Sequence, residues 1–106
     1  MGDIKAKIDM KIKGKKVMVF SKSYCPYCTM AKEALKKYVG SVLPADQYEV
    51  WEIENEGDCQ SIQNELKKMT GASTVPRVFI NGKCIGGGSE TQDLDKRGEL
   101  KRMLAA

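Results

Sequence analysis

Apolar residues recur along this chain in two periods, and the switches between them outline its elements. Ile4, Ile8 and Ile12 stand at every fourth position between Asp3 and Ile12. This thin stripe, which Gly14 ends, predicts a packing helix, with an extended arm as the alternative. Lys16 to Phe20 then carries the nearly continuous run Val17-Met18-Val19-Phe20, the composition of a strand buried on both faces. Met30, Ala31, Ala34, Leu35 and Tyr38 return to helical spacing, which predicts a helix to about Val39 with Gly40 as its stop. Past a loop with Pro44, Tyr48 to Ile53 alternates as a second strand. Strand, helix and strand at this spacing form a βαβ unit, hence a parallel pair with a right-handed crossover.

The second half changes grammar. Asp58 is placed to cap a helix whose Ile62, Leu66 and Met69 share one face and which Gly71 ends. Val78-Phe79-Ile80 and Lys83-Cys84-Ile85 flank Asn81-Gly82, a strong two-residue hairpin signal, so these strands are antiparallel. Gly86-Gly87-Gly88 leads into Ser89-Glu90-Thr91-Gln92, which reads as a capping box with Ser89 as the N-cap. The last helical stretch carries Leu94, Leu100, Met103 and Leu104, and Gly98 should kink it or divide it in two. The order predicts an α/β domain, a mixed four-stranded sheet between helices. Met30, Leu35, Trp51 and Phe79 are expected in its core.

Composition narrows the class. A chain of 106 residues suffices for one domain with one core and is too short for two. The net charge of +4 is spread along the sequence. Its densest cluster, Lys11 to Lys16, lacks the interleaved aromatics of a nucleic-acid patch, so no nucleic-acid partner is expected. No apolar segment approaches membrane-spanning length, and the first residues lack the uninterrupted apolar core of an export signal. The expectation is therefore a cytoplasmic protein without a membrane partner, in a reducing compartment where a C-x-x-C pair is more often catalytic than structural.

That pair is Cys25-Pro26-Tyr27-Cys28, set between the first strand and the helix after it. Proline suits the first helical position, which makes Cys25 the N-cap. Its sulfur then faces the free N–H groups of Tyr27 and Cys28 at the positive end of the helix dipole, an environment that favours the nucleophilic thiolate. Cys28, three residues on, shares the helix face and can close a disulfide with it. A structural zinc site wants a second close pair of ligands. Here Cys59 and Cys84 are isolated and histidine is absent. A permanent disulfide across so short a loop would remove little unfolded-state entropy. The pattern is a reversible dithiol/disulfide site. Cys59 and Cys84 read as free thiols, and Cys59, at a helix start, is the better candidate for secondary oxidation.

Cys25-Pro26-Tyr27-Cys28, Thr74-Val75-Pro76-Arg77-Val78-Phe79-Ile80 and the Gly86-Gly87 pair before Ser89 together resemble the dithiol glutaredoxins, in order and spacing, from about Lys16 onward. The resemblance implies a thioredoxin-like fold and a glutathione-dependent thiol–disulfide oxidoreductase. Its substrates would be glutathionylated proteins and protein disulfides, and it would act as a monomer. Cys25 becomes the nucleophile and Cys28 the resolving thiol. The implied glutathione-binding positions are Lys22, Tyr27, Gln63, Thr74, Val75, Pro76, Gly87, Gly88, Ser89 and Glu90. Lys22 and Gln63 would face the glycine carboxylate, the Val75 backbone would pair with the cysteine of glutathione, and Ser89 with Glu90 would hold the γ-glutamyl end. Two positions depart from the pattern: Gly88 stands where many relatives have Cys or Ser, and Glu90 where Asp is usual.

The chemistry of glutathione agrees with these roles. It carries two carboxylates and one ammonium, for which Lys22 offers a cation, the helix start at Ser89 offers free N–H groups, and Glu90 offers an anion. X-Pro bonds are cis in only about one case in twenty, so the residues alone argue for a trans bond before Pro76. The resemblance implies cis, opposite the cysteines. Some members of the family instead hold a [2Fe–2S] cluster between two protomers, with the first cysteine and glutathione as ligands. Pro26 stiffens the turn after Cys25, and cluster-binding members more often lack that proline, so glutathione is the expected cofactor and no metal is expected.

Overall fold

The strand Val17–Ser21 (β1) is buried along its whole length and organises the fold, which the computed structural model describes over residues 2–106. Around it lie the helix Gly2–Gly14 (α1), the helix Pro26–Lys36 (α2), the strand Tyr48–Glu52 (β2) and the helix Cys59–Thr70 (α3). They are followed by the hairpin strands Arg77–Ile80 (β3) and Lys83–Gly86 (β4) and the helices Gly88–Lys96 (α4) and Glu99–Ala105 (α5). The sheet order is β2-β1-β3-β4, with β1 parallel to β2 and antiparallel to β3. The expected βαβ unit and hairpin are both present. Asn81 and Gly82 take positive φ, 52° and 81°, as a two-residue turn between right-twisted strands requires.

Alternation along β1 divides the core. Val17 and Val19 meet Ala31 and Leu35 of α2 and Leu100 and Leu104 of α5, while Met18 and Phe20 meet Ile8 and Ile12 of α1 and Ile62 and Leu66 of α3. Phe20 is fully buried and its ring packs against Trp51 and Phe79 at centroid distances of 5.8 and 5.6 Å. The first segment is thus a docked helix rather than an arm. Lys7 and Lys11 lie over the Trp51 ring at 4.9 and 5.2 Å, and Lys11 pairs with Glu49 at 2.6 Å.

Several expected boundaries move. β1 begins at Val17 and includes Ser21. α2 ends at Lys36, short of Val39, because the chain turns there to bury Leu43, with Gly40 N–H donating to the Leu43 carbonyl at 2.8 Å. β2 stops at Glu52, and buried Ile53 opens a single 3₁₀ turn. Asp58 is the N-cap of α3 but its side chain makes no capping bond. Leu35, Trp51 and Phe79 are buried, whereas Met69 is exposed and Met30 only half-buried. Gly98, with φ of 77°, separates α4 from α5.

The capping box is a correction. α4 starts at Gly88, so Gly87 is the N-cap and Ser89 lies inside the first turn, where its hydroxyl caps nothing. Glu90, the third helical residue, reaches back so that its Oε1 accepts the Gly87 N–H at 2.7 Å. Thr91, fully buried, donates from Oγ1 to the Gly87 carbonyl at 2.8 Å. The earlier start follows from close packing: a Cβ on Gly88 would overlap the Tyr27 carbonyl oxygen and lie 3.1 Å from its carbon. Glycine lets the first turn of α4 rest on the first turn of α2.

Candidate active site

β1 ends directly beneath the start of α2, and the loop between them presents the cysteines. A turn closed by Cys25 N–H on the Lys22 carbonyl (3.1 Å) leads into the helix, whose first residue is Pro26. Cys25 is the N-cap, with extended backbone (φ −89°, ψ 121°). Its Sγ accepts the N–H of Cys28 at 3.4 Å. One orphan donor of the helix start therefore points at this sulfur, where the helix dipole is positive.

The two sulfurs are unequal. Cys25 is partly exposed and its Sγ stands 3.8 Å from the Val75 carbonyl oxygen. Cys28 is fully buried on the inner face of α2, and its Sγ accepts the backbone N–H of Lys22 at 3.3 Å. Burial pushes the Cys28 thiol up to about 11, against which the Lys22 N–H and the Ser21 hydroxyl act in the opposite sense. At neutral pH Cys28 stays protonated. Cys25 is the sulfur that can be reached from outside.

Beside Cys25 lies an open groove of about 320 Å³, lined by Tyr27, Thr74, Val75, Pro76, Arg77, Gly87, Gly88, Ser89 and Glu90. One wall is the segment before β3, where the Val75–Pro76 bond is cis. The other is the first turn of α4. Glu90 is held below the usual carboxylate range, chiefly by the Gly87 N–H, then by its own backbone N–H and by the Arg77 guanidinium. Arg77 Nε donates to the Pro76 carbonyl at 3.0 Å, which keeps the guanidinium beside this wall. The groove thus carries a cation, an anion and a helix N-terminus along its walls, and its Val75 carbonyl lies 3.8 Å from the Cys25 sulfur.

The glutaredoxin family model matches residues 17–85, which takes in the cysteine pair, the Pro76 segment and the hairpin. The chain belongs to the glutaredoxin family. It is 36% identical over 102 residues to an uncharacterized monothiol glutaredoxin of Caenorhabditis elegans, covering 96% of this chain and 66% of that protein. It superposes on oxidized glutaredoxin 2 of Chlamydomonas reinhardtii with a TM-score of 0.87 at 40% identity, covering 97% of this chain and 92% of the other. A buckwheat glutaredoxin–glutathione complex matches with a TM-score of 0.85 at 33% identity, over 97% and 88% of the two chains. The thioredoxin-like fold expected from the sequence is the one observed.

Within this glutaredoxin fold, eight of the ten proposed glutathione positions, all except Lys22 and Gln63, line one groove. Lys22 lies on the loop below Cys25 and reaches the site through its backbone N–H to Cys28. Gln63, on α3, donates from Nε2 to the Ser73 carbonyl at 2.9 Å and props the segment leading to Pro76. Cys59 and Cys84 are free thiols, and Cys59 Sγ donates to Gln63 Oε1 at 3.6 Å.

Two residues of the site had no role in the sequence reading. Arg77 was part of the motif but reads as an ordinary strand residue until the groove shows where it sits. Glu54, in the turn after β2, accepts the Ser23 N–H at 3.2 Å and the Ser23 hydroxyl, and so ties down the loop that carries Cys25. The Ser23 hydroxyl, with help from the Ser23 N–H and Lys32, holds the Glu54 carboxyl low. Nothing in its local sequence marks Glu54, because its partner is remote along the chain.

Proposed function

We propose that this chain is a glutathione-dependent thiol–disulfide oxidoreductase that reduces glutathione–protein mixed disulfides and protein disulfides. The observation that carries the reading is one partly exposed sulfur, Cys25, at a helix N-cap and 3.8 Å from the Val75 carbonyl of the Tyr27–Val75–Glu90 groove, with a buried thiol three residues on. The Cys25 thiolate attacks the glutathione sulfur of a mixed disulfide. The Cys25–glutathione bond forms as the protein thiolate leaves and takes a proton. A second glutathione attacks its bound counterpart, releasing oxidised glutathione and the Cys25 thiolate.

The bound glutathione lies along the groove. Its peptide-like backbone pairs with Val75 as an added strand, and its γ-glutamyl ammonium faces Glu90. Its α-carboxylate faces the first turn of α4. Lys22 offers a cation to the glycine carboxylate. With a protein disulfide the mixed disulfide forms on the protein itself, and Cys28 resolves it by closing on Cys25. Because the chain has no histidine, proton transfer falls to solvent and to the thiols themselves. The protein acts as a monomer in the reducing cytoplasm, without nucleic-acid or membrane partners. The test is turnover of a glutathionylated peptide with glutathione as reductant, compared with turnover driven by a thioredoxin reductase. Dependence on the reductase and indifference to glutathione would overturn the proposal.

A further inference from the structure

Ser21 ends β1 directly under the cysteine pair. Side chains alternate along a strand, so Ser21 shares the face of Val17 and Val19, which α2 covers. Cys28 occupies the buried face of α2 with Ala31 and Leu35, and its Sγ accepts the N–H of Lys22, the residue that follows Ser21, at 3.3 Å. Ser21 is fully buried, and its Oγ has no hydrogen-bond partner among the described residues. A buried hydroxyl without a partner carries a desolvation cost, and such groups are rare enough to require a reason. The groups acting on the Cys28 sulfur are the Lys22 N–H from the loop, the Cys25 sulfur from the helix cap and the Ser21 hydroxyl from β1; no charged side chain of another element is among them. Glu52, paired with Ser21 across the β1–β2 ladder, also has a buried atom, Oε1, without a partner among the described residues, while its Oε2 accepts from Lys32 at 2.8 Å.

We infer that Ser21 is a positioning residue for the resolving step, its hydroxyl idle while Cys28 is a thiol and donating to Cys28 Sγ as that sulfur takes on negative charge. The inference rests on the function proposed above. An interaction made only in the charged state lowers the barrier instead of the ground state. Charge reaches Cys28 twice. In resolution, Cys28 gives up its proton and attacks Cys25 Sγ. The Cys25–Cys28 bond forms, the bond from Cys25 to the substrate sulfur breaks, and that sulfur leaves as a thiolate that takes a proton. The substrate disulfide has then gained two electrons, and the pair has lost two. In recovery, glutathione attacks Cys25, and Cys28 departs as a thiolate. The Lys22 N–H is fixed by the backbone in both states, whereas the hydroxyl can rotate to follow the charge.

The experiment compares two reactions, glutathione-dependent reduction of disulfide-bonded insulin and of a glutathionylated peptide, in wild type, Ser21→Ala, Cys28→Ser and the double variant. Ser21→Ala should lower insulin reduction about tenfold relative to peptide deglutathionylation, the scale of one lost hydrogen bond to a charged group. In the Cys28→Ser background, adding Ser21→Ala should produce no further loss in the deglutathionylation that remains. Equal effects on both reactions, no effect on either, or a loss that persists without Cys28 would overturn the inference and leave the hydroxyl to packing or to Glu52. If Cys28→Ser reduces insulin as fast as wild type, the resolving step itself is wrong, and the inference falls for that separate reason.

Discussion

Removing the Glu90 carboxylate should destabilise the fold, even though Glu90 is an exposed residue at the rim of the groove. In Glu90→Ala the Gly87 N–H loses its acceptor at 2.7 Å, and the positive end of α4 loses an adjacent anion. A lost helix cap costs about 1 kcal/mol, with a few tenths more from the dipole at so exposed a position. For a domain of this size, ~1 kcal/mol lowers the melting temperature by about 4–8 °C. Glu90→Gln, which keeps an acceptor but not the charge, should fall between. Ser89→Ala should leave stability within about 0.5 kcal/mol, as for a surface residue without a partner. The pH dependence has a fixed sign. The folded-state pKa of Glu90 lies below its ordinary value of 4.5, chiefly because of the Gly87 N–H. The stabilisation is therefore complete above 4.5 and lost as pH falls through the folded-state value. Thermal melts of the four proteins at neutral and acidic pH give the answer. If Glu90→Ala melts with wild type at neutral pH while Ser89→Ala does not, Ser89 is the cap and the reasoning fails.

Three other substitutions bear on the site. Gly88→Ala forces a Cβ against the Tyr27 carbonyl and should cost about 1–3 kcal/mol; it should also raise KM for glutathione, because both walls of the groove move, and an unchanged melt with unchanged KM would refute the packing. Lys22→Gln should raise KM for glutathione several-fold, less so in high salt, and salt-independent, unchanged kinetics would make Lys22 a surface lysine. Glu54→Gln should speed hydrogen exchange at the Ser23 amide and reduce turnover, since the loop carrying Cys25 loses its anchor; acid should weaken the wild-type anchor too, because Glu54 is held low and its grip is lost as pH falls through that lowered value.

What was legible in the sequence was whatever local pattern controls. The continuous run Val17–Phe20 announced a central strand, Asn81-Gly82 a hairpin, and Pro26 after Cys25 a helix capped by sulfur. What was not legible depended on contacts between distant segments. Ser89 looked like a cap because serine is a good one, but the absence of a Cβ at Gly88 lets α4 begin earlier, against Tyr27. Met30 and Met69 carried the right spacing for the core, yet no element covers them fully. Gln63 matched a ligand position by resemblance, and only the folded chain reveals its bond to Ser73. Arg77, Glu54 and Ser21 acquire meaning from neighbours 13 to 31 residues away or from the opposite layer, which no local pattern encodes.

In the proposed cycle Cys25 alone starts the chemistry and carries glutathione. The most direct test is to incubate Cys28→Ser protein with a glutathionylated peptide, quench with acid, and locate the adduct by intact mass and peptide mapping. The account predicts one glutathione per chain, on Cys25, formed at the rate at which peptide thiol appears. In the Cys25→Ser protein it predicts neither adduct nor released thiol. Glutathione carried on Cys59 or Cys84 at the turnover rate, or peptide thiol released by the Cys25→Ser protein, would contradict it.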